Sequence, residues 1–304
     1  MKRDFLKILD FTTDEILETF ELTKEIKNNP SKFSDALKGK TLALIFEKPS
    51  LRTRTSFDIG IQQLGGYSLY LSPAEINLGK RESVYDVSMV LDRMVQAIMI
   101  RTFGHDIVEA MASYTHIPVI NGLTDYTHPC QGMADYFTIL EKKGTFKGIK
   151  LTYIGDGNNV AHSLMNGGAR LGVHVVISTP PGYEPNLSAF KEAEQAAKLT
   201  GAKIEYIKNP YEAAKNADVI YTDTWASMGQ ESQAEIRRKI FKPYQVNDQL
   251  MAQAKKDAIF MHCLPAHRNE EVTDSVIDSP QSVVFDEAEN RLHVQKAIML
   301  KLMK

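Results

Sequence analysis

Cysteine is nearly missing from this chain: Cys130 and Cys263 are the only two in 304 residues. Two thiols cannot build a disulfide framework or a cysteine-based zinc site. No apolar run reaches the ~18 residues that a membrane span needs. An excess of one charge is missing as well. The 36 Lys and Arg stand against 38 Asp and Glu, for a net charge of −2. That balance excludes the general basic footprint of a nucleic-acid or membrane-surface binder. The first residues, Met1 to Phe5, are basic but have no apolar stretch behind them, so no secretory leader is expected. What is present is ordinary for a globular protein: 43% hydrophobic and 24% charged residues. The expectation is a soluble, cytoplasmic protein with reduced thiols, long enough for two domains.

Hydrophobic periodicity divides the chain into alternating strands and helices. Short apolar runs predict strands at 41–46, 68–71, 97–102, 118–121, 150–154, 174–179, 203–207, 219–224, 258–263 and 282–285. Helical spacing fills the intervals, with a long helix at 131–143 joining two such series and a closing helix at 287–304. Strands that alternate with helices imply parallel sheets covered on both faces. The predicted fold class is therefore α/β, with two lobes. Ligands of open α/β sheets sit beyond the carboxyl ends of strands, so polar clusters just after strands are the places to search.

The densest such cluster is Ser50-Leu51-Arg52-Thr53-Arg54-Thr55-Ser56, between a strand and a helix. A helix start offers unpaired N–H groups and the positive end of the dipole. Arg52 adds a bidentate fork, and Ser50, Thr53 and Thr55 add hydroxyls. The combination suits a phosphate dianion; a capped helix with surface arginines is the plainer alternative. Two phosphate lookalikes fail on context. Gly39-Lys40-Thr41 is followed by a strand rather than a helix, and Ser34 stands where a phosphate-binding loop needs its first glycine. Gly155-Asp156-Gly157 follows a strand, but Val160 takes the third glycine's place and no acid closes the next strand.

Five motifs in order identify the chain as similar to the aspartate/ornithine carbamoyltransferase family. They are Ser50–Arg54, 78–83 (Leu-Gly-Lys-Arg-Glu-Ser), His128-Pro129-Cys130-Gln131, Asp223 with Ser227-Met228-Gly229, and His262-Cys263-Leu264-Pro265. The last two resemble the ornithine branch. The resemblance implies a carbamoyl-phosphate-binding domain at 1–138, with the helix at 288–304 packed back on it. It also implies an ornithine-binding domain at 139–287 and an active site in the cleft between the lobes. Ser50, Leu51, Arg52, Thr53, Arg101, His128, Gln131, Asn77 and Arg291 would serve carbamoyl phosphate. Leu51 departs from the family's commoner Thr, and Asn77 replaces Gln or His in a loop that reaches a neighbouring subunit. Asn159, Asp223, Ser227, Met228, Cys263 and Leu264 would serve ornithine.

The implied reaction is transfer of the carbamoyl group to the δ-amine of L-ornithine, giving citrulline and phosphate. Thr53, Arg101, His128 and Cys263 are the implied catalytic set. No metal and no organic cofactor is expected. The implied partners are small substrates alone, within a homotrimer or a multiple of trimers. Putrescine or an acylated ornithine as acceptor, and a non-catalytic anion-binding homologue, stay open as alternatives. Cys263 beside His262 also invites a nucleophile reading, but adjacent residues of an extended segment point opposite ways, and an inert buried cysteine is the commoner case.

Overall fold

The computed structural model describes residues 2–226, 229 and 231–304. The chain divides into two compact units, one of 1–134 with 289–304 and one of 135–288.

Unit 1 opens with α1 (Thr13–Asn28), started by a capping box in which Thr12 and Glu15 satisfy each other's backbone N–H. There follow β1 (Thr41–Phe46), α2 (Leu51–Gln63), β2 (Tyr67–Leu71), α3 (Pro73–Ile76), α4 (Val84–Leu91), β3 (Ala97–Arg101), α5 (His105–Tyr114), β4 (Val119–Leu123) and α6 (Pro129–Lys143), whose later residues belong to unit 2. The four strands form an all-parallel sheet in the order β2-β1-β3-β4. Every residue of β3 and β4 is buried, as expected for parallel strands covered on both faces. β2 is an edge strand, and its Tyr67 and Leu69 are 66% and 42% exposed.

Unit 2 continues with β5 (Lys150–Ile154), α7 (Asn159–Leu171), β6 (His174–Ser178), α8 (Leu187–Ala197), β7 (Ile204–Tyr206), α9 (Pro210–Ala214), β8 (Val219–Thr222), α10 (Ala234–Phe241), α11 (Asp248–Met251), β9 (Ile259–His262) and α12 (Asp274–Ile277). The helix α13 (Val284–Met303) begins here and ends in unit 1. The five strands are again all parallel, in the order β7-β6-β5-β8-β9. The expected strand at 282–285 does not form. Ser282 makes one bridge to Phe260, and the chain turns helical at Val284, with Asp286 and Glu287 placed in the first turn where the helix dipole favours acids.

Each sheet has one place where strand order reverses. In unit 1 it lies between β1 and β3, and in unit 2 between β5 and β8. Loops leaving such a pair of strands diverge to opposite faces and open a crevice. Ser50 and Arg101 follow or end the first pair; Asn158 and Asp223 follow the second.

Candidate active site

In unit 1 the candidate anion cradle lies at the start of α2. The Ser50 hydroxyl accepts from the Thr53 N–H at 3.2 Å and caps the helix. Leu51 is the first helical residue, and its side chain is 78% exposed. Its main-chain N–H is one of the helix-start donors that no intrahelical carbonyl can reach. The two arginines of the cluster separate. The Arg54 guanidinium lies 3.8 Å from the centre of the Tyr70 ring, while the Arg52 charge is felt at His128.

Two more guanidinium groups converge on Thr53 from distant parts of the sequence. Arg101 ends β3, is 5% exposed, and its Nη1 lies 3.5 Å from Thr53 Oγ1. Arg291, on α13, donates from Nη2 to the same hydroxyl at 3.2 Å and from Nη1 to Gln131 Oε1 at 2.5 Å. Gln131 lies in the first turn of α6, just after His128, and both are buried.

His128 is held well below its ordinary range, first by burial and then by the charges of Arg291, Arg101 and Arg52. It is therefore a neutral imidazole at pH 7, able to donate a hydrogen bond without adding charge. Three guanidiniums around a neutral histidine make a strongly positive, water-poor pocket. Such a pocket favours a dianion and stabilises negative charge that develops on a neighbouring oxygen. Asn77 lies apart from this cluster. It ends α3 in a left-handed conformation, φ 45°, with an exposed side chain; asparagine tolerates that geometry better than most residues.

In unit 2 the centre is Asp223, just past β8. Oδ2 accepts from Asn158 Nδ2 at 2.8 Å. Oδ1 accepts from the Cys263 thiol at 3.1 Å and from the Thr224 N–H at 2.8 Å. Asn158 uses its other end to cap α7, accepting at Oδ1 from Val160 N–H at 2.9 Å. One amide thus ties the helix start to the carboxylate. Asn159 is the first residue of α7 and half-buried beside it. The Cys263 thiol is pushed well above its usual range by burial and by the nearby Asp223, so it is no thiolate at pH 7.

His262 and Cys263 face different partners. The His262 ring is fully buried, accepts at Nδ1 from the Leu264 N–H at 2.8 Å, and donates from Nε2 to Glu271 at 3.1 Å. Accepting at Nδ1 fixes the tautomer with the proton on Nε2. Leu264 takes a left-handed φ of 56°, which turns the chain at the end of β9. Nearby, the Arg237 guanidinium donates to Asp156 Oδ2 at 2.8 Å and to the Trp225 carbonyl at 2.7 Å. Ser227 and Met228, expected on the ornithine side, lie outside the described residues.

Asn158, Glu271 and Arg237 carry no motif of their own, and only the N-cap position of Asn158 after a strand could have flagged it. Gly157 settles the dinucleotide question. A Cβ there would lie 2.3 Å from the Pro185 nitrogen, and its N–H donates to the Tyr183 carbonyl at 2.9 Å. The glycine admits a neighbouring chain segment rather than a pyrophosphate. Among the described residues, two trios bring possible metal-ligating atoms within 4.8 Å of one another: Asp223, His262 and Cys263, and His267, Glu270 and Glu271. In the first, both His262 nitrogens and both Asp223 oxygens are already engaged in hydrogen bonds.

Comparison with known proteins gives two consecutive family matches. Residues 3–141 match the family model described as aspartate/ornithine carbamoyltransferase, carbamoyl-P binding domain, and residues 147–302 match its Asp/Orn binding domain. An ornithine carbamoyltransferase of Thermococcus kodakarensis is 59% identical over 99% of this chain and 96% of its own length. An anabolic ornithine carbamoyltransferase of Pyrococcus furiosus is 55% identical over 99% and 96%. The solved ornithine carbamoyltransferase structure from Pyrococcus furiosus superposes with a TM-score of 0.96 at 55% identity, covering 99% of this chain and 97% of that one.

Proposed function

The chain belongs to the aspartate/ornithine carbamoyltransferase family, and from that we propose that it transfers the carbamoyl group of carbamoyl phosphate to the δ-amine of L-ornithine, releasing L-citrulline and phosphate. The observation that carries the choice of acceptor is the Asp223 carboxylate with the Cys263 thiol 3.1 Å from it. An acid there complements an α-ammonium, whereas an aspartate acceptor would need cations for its second carboxylate.

The phosphate of carbamoyl phosphate sits on the start of α2, held by Ser50, the Leu51 N–H, Arg52 and Thr53, with Arg101 and Arg291 completing the charge. Gln131 and His128 meet the carbamoyl group. The δ-amine attacks as a neutral group, which a water-poor surround favours over its free pKa of ~10.4. Its lone pair forms the N–C bond and negative charge builds on the carbamoyl oxygen. Thr53, Arg101 and neutral His128 stabilise that oxygen. The C–O bond to phosphate then breaks, and the departing phosphate takes the amine's proton. On the acceptor side, Asn159 receives the α-carboxylate. Asp223, Ser227 and the Met228 N–H meet the α-ammonium, and Cys263 with the Leu264 carbonyl lines the place of the δ-amine.

The protein works in the cytoplasm, in arginine metabolism, and in the biosynthetic direction that the name of the Pyrococcus furiosus relative supports. It assembles as a homotrimer in which the loop carrying Asn77 serves a neighbour's phosphate site. The exposed apolar side chains of Tyr67, Leu69, Tyr85 and Met94 support burial against another copy, and native mass spectrometry reads the stoichiometry directly. The test of the reaction is a panel of carbamoyl phosphate with ornithine, putrescine, acetylornithine, lysine or aspartate. Citrulline from ornithine at the highest kcat/KM is the expected result. Preference for any other amine, or no turnover at all, overturns it.

A further inference from the structure

Glu287 lies in the first turn of α13, with no exposure to solvent. Its Oε1 accepts from the Tyr221 hydroxyl at 3.0 Å, and its Oε2 accepts from the His262 N–H at 3.0 Å. The equally buried carboxyl of Asp135, on α6, adjoins it. No step of the reaction uses Glu287.

What Glu287 holds is the end of β9. His262 is pinned at its N–H by Glu287 and at its ring by Glu271. Leu264 keeps a left-handed backbone, φ 56°, with its N–H on the His262 ring. Such a conformation at a residue with a side chain persists only where its surroundings over-determine it. Between the two pinned residues stands Cys263, directed at Asp223. We propose that Glu287 is a positioning residue for the ornithine side of the site, fixing His262 to Leu264 so that Cys263 and Asp223 meet.

Burial and the adjoining Asp135 hold Glu287 well above the usual carboxylate range. The titratable groups that face the pair are Tyr221 from β8, Asp223 beyond it, and Cys263 at the end of β9. Lys142 and Asp286, on the same two helices as the pair, are bridged to each other at 2.8 Å. A raised pKa makes the contribution complete at low pH and lost as pH rises through it, when two facing carboxylates would repel.

This inference rests on the ornithine reading above, so its test begins with the unmodified chain. L-Norvaline keeps the amino-acid head and lacks the δ-amine. Its binding is measured by calorimetry in the presence of saturating carbamoyl phosphate, at pH 7. Glu287→Ala strands the His262 N–H and should weaken L-norvaline about 5- to 100-fold while the carbamoyl phosphate Kd stays within about twofold. Glu287→Gln supplies a neutral amide that mimics the protonated acid, and should rescue affinity to within about threefold at pH 7. Should Glu287→Ala fail to fold by circular dichroism, Glu287→Asp, which keeps the carboxyl but withdraws it by one methylene, takes its place with the same expected losses. Equal losses for Gln and for Ala or Asp, or a matching fall in carbamoyl phosphate affinity, would overturn the positioning role. Failure of the unmodified chain to bind L-norvaline would overturn the ornithine reading itself.

Discussion

Arg291 and Thr53 stand 238 positions apart in sequence, and the arginine's Nη2 donates to the threonine's hydroxyl at 3.2 Å. The same guanidinium holds the Gln131 amide oxygen. A single side chain of α13 thus fixes one residue from the helix start after β1 and another from the helix after β4. Arg291→Ala should weaken carbamoyl phosphate binding by about 1.5–3 kcal/mol, the usual worth of a hydrogen bond to a charged group. Arg291→Lys should recover little, because an ammonium cannot span two acceptors as the planar fork does. Calorimetry on folded variants reads both; an unchanged Kd for Arg291→Ala would remove Arg291 from the site.

Asp223 should report the amino-acid head of the acceptor. Asp223→Asn removes the charge but keeps an oxygen for the Cys263 thiol. Affinity for ornithine should fall at least about tenfold more than affinity for putrescine, which has no α-ammonium. Equal losses for the two amines would mean that Asp223 serves the structure or the chemistry instead.

Cys263 should not form a covalent intermediate. Its thiol is held protonated by burial and by Asp223, and the thiolate is the nucleophilic form. Cys263→Ser should retain measurable turnover with a raised ornithine KM. Single-turnover mass spectrometry should find no carbamoyl adduct on the sulfur; a trapped thioester would refute direct attack.

His128 should make stability depend on pH in a defined window. Its folded pKa lies well below the ordinary 6.5. The unfolded chain binds a proton there and the folded chain does not, so stability is complete above pH ~6.5 and falls as pH drops below it. One such group contributes a slope of at most ~1.4 kcal/mol per pH unit. Urea unfolding from pH 7.5 to 5.5 should show that slope reduced in His128→Asn. An identical slope in the variant would mean that other groups govern the window.

The strands of the fold were legible because parallel strands buried on both faces read as unbroken apolar runs, as β3 does. The strand expected at 282–285 misled for the same reason: Val283, Val284 and Phe285 are apolar and β-favouring, yet Asp286 and Glu287 open a helix. Within the site, Ser50, Arg52 and Thr53 were visible because one helix start gathers them. Arg101, His128 and Arg291 carry no local signal that unites them, and only the register of a known family pointed to all three. Asn158, Glu271 and Glu287 were invisible for a further reason. Each acts through a hydrogen bond to another residue's backbone or side chain, and no spacing rule connects Glu287 to His262 across 25 positions. The neutrality of His128 was also out of reach, since it depends on charges brought near by folding.

Unit 1 is assembled from both ends of the chain, and that has a bearing on synthesis. A ribosome delivers Ser50 to Arg54, Arg101 and His128 long before it delivers Arg291. Domains generally fold in the order they emerge, but here the first sheet can form while its anion cradle still lacks one of its guanidiniums. The missing charge arrives with the final helix, after all of unit 2 has been translated. A nascent chain that stops before Arg291 therefore lacks one guanidinium of the proposed cradle. Ligand-dependent protection from protease, followed on arrested chains of increasing length, should strengthen once α13 has cleared the exit tunnel.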